Sequence, residues 1–172
     1  HKSGGAVYSL GPQAYGSIGS CSWAIGVASR ALHEIAEIAK AGRTRLGSLP
    51  MREQPEFQRN FGFHKTAIEA SRMQLTTIYN RAVELIERGA SDTECADAVR
   101  QTKAHANDIV KQVAKSAVIF AWEASGSAGM RNPNRLQRCF RDIHIGAAHQ
   151  VLDDRGYREA AKPALGLEPA PF

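Results

Sequence analysis

Disulfide-forming cysteine is the first thing this chain lacks. Cys21, Cys95 and Cys139 are odd in number, widely spaced and set in apolar or helical surroundings. No disulfide framework and no Cys-x-x-Cys pair can be read from them, so a reducing cytoplasm is the expected location. Long apolar runs are missing too. None reaches the roughly twenty residues of a membrane helix, and no signal peptide is visible. Aromatic residues make up only 7% while alanine is plentiful, which suits a helical bundle with close backbone approach and not a β-sandwich. Acid-free basic stretches are equally scarce. Lys and Arg alternate with Asp and Glu along most helical segments, and only 131–141 is a basic stripe. A net charge of +5 therefore predicts no dedicated nucleic-acid binder. No pair of histidines has a convincing metal-ligand arrangement with carboxylates or cysteines, so no metal is expected. The chain opens His1-Lys2-Ser3-Gly4-Gly5 and is read as a fragment or processed piece.

What is present is helical periodicity. Residues 1–11 read as a loop or the end of a preceding domain. From Pro12 to Lys40, Trp23, Val27, Ala31, Ile35 and Ile38 recur at helical spacing. Gly16, Gly19 and Gly26 are expected to allow close packing on another backbone. A second helix from Pro55 or Glu56 to Arg88 carries a seam through Phe57, Phe61, His64, Ile68, Ser71, Leu75, Ile78, Ala82 and Leu85. Ser91-Asp-Thr-Glu94 is a capping box that opens a third helix, with Cys95, Val99, Thr102, Ala106, Ile109, Val113, Ala117 and Phe120 as its stripe. A fourth begins around Pro133 and turns Leu136, Phe140, Ile143 and Ala147 inward. Residues 162–172 read as a polar tail. Long helices with short connections predict an all-α, up-and-down antiparallel four-helix bundle over 12–161.

One stretch carries the chemistry. Glu123-Ala-Ser-Gly-Ser-Ala-Gly129 leads into a helix whose first turns hold Arg135, Arg138 and Arg141. Free N–H groups, the positive end of the dipole, small residues and arginine together make a candidate phosphate or pyrophosphate site. The same residues also describe a flexible interhelical turn with a solvated basic face.

Three segments, in order, are similar to motifs of the C-terminal helical domain of the acyl-CoA dehydrogenase superfamily. Arg43-Thr-Arg-Leu-Gly47 resembles Arg-x-x-Phe-Gly, with Leu46 in place of Phe. Glu123 to Gly129 stands where dehydrogenases have Gln-x-x-Gly-Gly-x-Gly. Arg138-Cys-Phe-Arg-Asp142 resembles Arg-x-x-Arg-Asp. In many such dehydrogenases a glutamate base follows nine residues after the second arginine, and here that position is Gln150. An amide cannot take a proton at neutral pH. Beside it stands His149, in a pattern that resembles the flavin-dependent, two-component monooxygenase branch.

That resemblance implies a fold, a cofactor and partners. Reduced FMN or FAD, supplied by an NAD(P)H-dependent flavin reductase, would activate O2 as a C4a-hydroperoxyflavin and hydroxylate an aromatic or related small organic substrate. His149 would be the catalytic proton-transfer or substrate-orienting residue. Arg43, Ser125, Gly126, Ser127 and Arg138 would help hold the flavin, and Arg141-Asp142 would brace neighbouring helices. The bundle would be an oligomerisation core, as a dimer or tetramer. The alternatives are an acyl-CoA dehydrogenase with its base elsewhere, and a non-enzymatic helical interaction module. His64 is expected as a core histidine or at a pocket edge, His144 as structural or at the flavin edge, and His33 and His105 as solvated. Trp23 and Trp122 are expected in the core or an interface.

Overall fold

A computed structural model of the chain describes residues 4–42, 47–131 and 133–170. Its α-helices are α1 (Ala6–Ser9), α2 (Gly11–Lys40), α3 (Pro55–Glu87), α4 (Asp92–Asn107), α5 (Lys115–Ser125), α6 (Arg135–Ala147) and α7 (Arg155–Ala161). Between α4 and α5 the chain does not break. It passes through a π-helical segment, Asp108–Ala114. The fold is all-α, and α2, α3, α4–α5 and α6 form the expected up-and-down bundle. Residues that meet show its direction. Tyr79 donates its hydroxyl to the Ala14 carbonyl at 2.9 Å, and Arg72 reaches Ser29 at 3.4 Å, so α3 runs antiparallel to α2. His64 lies on Phe120 and Gln74 meets His105, so α4–α5 runs antiparallel to α3. Trp122 stacks on Phe140 and starts the last antiparallel pair.

Local signals place several ends. The Ser91 hydroxyl accepts from the Glu94 N–H while the Glu94 carboxylate accepts from the Ser91 N–H; this is the capping box. Pro55 occupies the first position of α3, where its missing N–H is harmless.

The core is alanine-rich on α2, where Ala14, Ala24, Ala28, Ala31 and Ala39 are buried alongside Ile25, Leu32 and Ile35. Ile68, Ile109, Val110, Val118, Leu136, Ile143 and Leu152 close over them. A buried side chain of this size stabilises by about 1.5–3 kcal/mol. Burial pushes the Cys21 thiol up to about 12, so it stays protonated and inert.

The structure departs from expectation in instructive places. The predicted stripe is buried at Thr102, Ala106, Ile109 and Ala117, but Val110, Ala114 and Val118 are buried beside it, whereas Val113 and Phe120 are only half-buried. Steps of four residues advance about 40° each on an α-helix, so such a stripe drifts off the core. The wider π turn absorbs that drift. Gly16, Gly19 and Gly26 do not meet another backbone within the chain, since a Cβ there would touch nothing within 4 Å. The close approach is on α6 instead, where the Trp23 indole lies 2.1 Å from where a Gly146 Cβ would stand. His105 is half-buried against Gln74 and not solvated; burial pushes its pKa down, with Asp108 opposing.

Candidate functional site

The junction from α5 to α6 is built by its own neighbours in sequence. Ser125 is fully buried, and its hydroxyl turns back to donate to the Trp122 carbonyl at 2.6 Å. That hydroxyl is therefore committed to closing the helix. Gly126 follows at φ 56° and ψ −143°, a conformation that glycine alone adopts cheaply. A 3-10 turn, Gly126–Met130, then brings the chain back so closely that a Cβ on Gly129 would sit 2.0 Å from the Ser125 hydroxyl. Ser127 is exposed at the crest. Asn134 fastens the far side, donating to the Ala128 carbonyl at 2.7 Å and accepting the Leu136 N–H at 2.8 Å as the cap of α6.

Beside this junction lies a cleft of about 510 Å³, walled by Ser48, Leu49, Phe57, Asn60, Phe120 and Glu123. It brings together two of the segments singled out in the sequence: the connection after α2, and the end of α5. Arg43 lies outside the described residues. The aromatic wall is continuous, because Phe57 meets Phe120 at 5.8 Å and His64 stacks on Phe120 at 4.9 Å. Burial holds the His64 pKa below its ordinary value. It is half-buried and packs behind the cleft residue Phe120, with ring contacts to Phe120 and Phe63. Among the described lining residues, Glu56 and Glu123 are the charged ones and neither is a cation. Phe57, Asn60 and Phe120 were not singled out as site residues, because in sequence they are indistinguishable from core seam positions.

The arginines of α6 lie along its outer face. Arg138 is strongly exposed and pairs with Asp142 at 3.5 Å, one turn away on the same helix. Asp142 thus does not brace a neighbouring helix with Arg141, contrary to expectation. The tie to α2 comes from Arg135, 3.9 Å from Glu34.

At the other end of α6, two histidines five positions apart have opposite proton placements. The Phe140 carbonyl can only accept, so His144 Nδ1 donates to it at 2.8 Å, with the ring tilted against Phe140. His144 is therefore held by its own helix. His149 lies two residues beyond α6, exposed, and its Nδ1 accepts the Val151 N–H at 3.2 Å. Nδ1 being occupied, the neutral ring carries its proton on Nε2 and presents it outward. Thirteen residues of α6 at about 1.5 Å each put His149 about 20 Å from Ser125, Gly126 and Ser127. Ser125, Gly126 and Ser127 precede α6 and His149 follows it, at the opposite end.

The close backbone at Gly126 and Gly129 and the free Ser127 hydroxyl suit a polar ring edge or phosphate, and the acidic cleft lining leaves cationic contacts to come from elsewhere. Among the described residues no cluster of three or more His, Cys, Asp or Glu could hold a metal ion, and no helix is long and apolar enough to cross a membrane.

Solved structures of similar fold include the HsaA monooxygenase of M. tuberculosis and the 3-HSA hydroxylase of Rhodococcus sp. RHA1, each at TM-score 0.78 and 19% identity over 92% of this chain. XiaF of Streptomyces sp., in complex with FADH2 and glycerol, matches at TM-score 0.81 and 18% identity over 93%. The chain spans only 41%, 39% and 40% of those three structures. No curated protein sequence matches. The family described as acyl-CoA dehydrogenase, C-terminal domain, matches residues 18–154. That match covers the bundle from early α2 to the turn beyond His149, and the chain belongs to this family.

Proposed function

We propose that the chain is the C-terminal flavin-binding and oligomerisation domain of a reduced-flavin-dependent monooxygenase that hydroxylates an aromatic or related organic substrate. The observation that carries this reading is the turn after α6. Gln150 stands where many dehydrogenases have their carboxylate base, and His149 beside it points a protonated Nε2 outward. A group that donates from Nε2 can orient a phenol or return a proton near neutral pH. The likeness in fold to a monooxygenase, a hydroxylase and a protein solved with FADH2 supports the same branch.

In this reading the flavin, FMN or FAD, is reduced by a separate NAD(P)H-dependent reductase and supplies the activation of O2. Ser127, Gly126 and Gly129 hold one edge of it, Ser125 shapes that edge, and Arg43 and Arg138 add charge. Because His149 stands about 20 Å away along α6, a complete site takes its second half from another copy or another part of the enzyme. The exposed face of α2 offers such a contact. Tyr15 and Trp23 flank Gly16, Gly19 and Gly26, all open to a second backbone. Gly19→Leu with Gly26→Leu should leave the single chain folded and lower its oligomeric state in sedimentation. An unchanged state would remove α2 from the interface.

The reaction is tested by mixing the full enzyme anaerobically with reduced FMN or FAD and then admitting O2 under stopped-flow absorbance. An oxygenated transient before reoxidation, with loss of hydroxylated product in His149→Ala, is the expected result. Direct reoxidation, together with bleaching of oxidised flavin by an acyl-CoA, would place the protein among the dehydrogenases.

A further inference from the structure

The turn bearing His149 is too short to hold itself. It is a three-residue 3-10 turn, Gln150–Leu152, capped by His149, with one backbone bond from the Leu152 N–H to the His149 carbonyl at 2.9 Å. Arg155 closes the chain just beyond it, its N–H donating to the Asp153 carboxylate at 3.2 Å and its guanidinium pairing with the same group; the remaining fastenings come from α4 and the π segment. Asn107, fully buried, donates its side-chain amide to the Asp153 carbonyl. Lys103 is 1% exposed and reaches the Asp153 carboxylate at 3.4 Å. Lys111 meets Asp154 at 3.6 Å. Gly156 packs so tightly that a Cβ there would stand 2.9 Å from the Asn107 amide and 3.2 Å from Lys103. An ammonium is tolerated at such depth only opposite a carboxylate, so Asp153 is tied to one place.

The π segment supplies the geometry. Asn107 and Lys103 end the α-helical part, and Lys111 sits one π turn on. The three donors thereby face the chain that follows α6, while α5 turns to α2 and α6. Helices that widen in this way often do so where a side chain must be aimed.

We propose that Lys103 and Asn107 are positioning residues for His149. By holding Asp153, they keep the turn in the register that puts the Val151 N–H on Nδ1, so that His149 exists as the Nε2–H tautomer. The consequence for catalysis rests on the monooxygenase reading above; the clamp itself does not.

The test is long-range nitrogen–proton NMR of the imidazoles in the whole chain, above pH about 8 where histidine is neutral. The wild type should show His149 as Nε2–H and His144 as Nδ1–H. In Lys103→Met and in Asn107→Leu, His149 should become a mixture of tautomers, while His144, bonded within its own helix, stays Nδ1–H and reports that α6 is intact. A His149 signature that stays purely Nε2–H in both variants overturns the proposal, as does a mixture in the wild type. Should either variant lose the His144 signature as well, Asp153→Asn decides the matter. It keeps the shape and the backbone bond and removes the charge that Lys103 and Arg155 share, and an unchanged His149 there is equally fatal. No flavin or turnover enters this readout. A fixed tautomer alongside full turnover in His149→Ala would sink the catalytic reading and leave the clamp standing.

Discussion

The two turns at the ends of α6 are held in opposite ways. Every fastening named at the Ser125–Asn134 junction spans six residues or fewer: Ser125 to Trp122, Asn134 to Ala128, Leu136 to Asn134. At the His149 turn the decisive bond crosses 46 positions, from Asn107 to Asp153. A locally closed turn carries its own specification in small residues and a cap. A turn closed from a distance borrows its shape from whatever helix lies beneath it, here the last turns of α4 and the π segment that follows.

The largest expected effect breaks the borrowed turn. Asp153→Ala removes the carboxylate opposite the buried Lys103 ammonium, and should lower stability in denaturant unfolding by about 3 kcal/mol, the low end for a broken buried pair because Asp153 is itself one-third exposed. If Asp153→Ala unfolds like the wild type, Lys103 finds water easily and the turn does not depend on it. The next effect breaks the local turn. Gly126→Ala forces a side chain onto a positive φ and should cost about 1–3 kcal/mol, while Ser127→Ala next to it, exposed, should stay within about 0.5 kcal/mol. Equal losses at Gly126 and Ser127 would mean that the junction relaxes and has no unique backbone.

This contrast also marks what was legible in the sequence. The capping box at Ser91, the start of α3 at Pro55 and the buried faces of Ile35, Ile68 and Ile143 depend on neighbours within a turn or on periodicity, and each stands where the pattern puts it. The glycine-and-serine junction was legible as a special turn for the same reason. Three features were not. Lys103 looks like any polar helix residue until α7 covers it. The π segment follows from a stripe in steps of four, which a heptad reading smooths into Val113 and Phe120. The tautomers of His144 and His149 depend on which backbone group each ring meets, and spacing carries no trace of that. Nor could the sequence reveal that Ser125 and His149 sit at opposite ends of one helix. Motif order places residues along a chain; distance comes only with the fold.

Acid should separate the two ends, and this is the smallest effect but the sharpest comparison. His64, stacked on the cleft residue Phe120 beside the junction, has its pKa pushed down by burial. The unfolded chain then binds more protons than the folded one between the lowered value and the ordinary pKa of about 6.5. The stability that neutral His64 contributes is therefore full above about pH 6.5 and is lost as pH falls below it. At the other end, desolvation pushes the Asp153 carboxyl up, but the Arg155 hydrogen bond and the Lys103 charge outweigh it and hold the group below the usual range. A lowered carboxylate works in the other window: its contribution is full above about pH 3.9 and disappears only as pH drops through the depressed value. Trp122, stacked on Phe140 near the cleft, should thus report a first loosening as pH falls below about 6.5 that His64→Phe abolishes. The bonds that Asp153 makes to Arg155 and Lys103, followed by the Asp153 and Asp154 backbone amide signals, should survive that step and weaken only as pH falls below about 3.9. A single acid transition with both reporters moving together, unchanged in His64→Phe, would show that the two ends are one cooperative unit and that their different construction has no thermodynamic consequence.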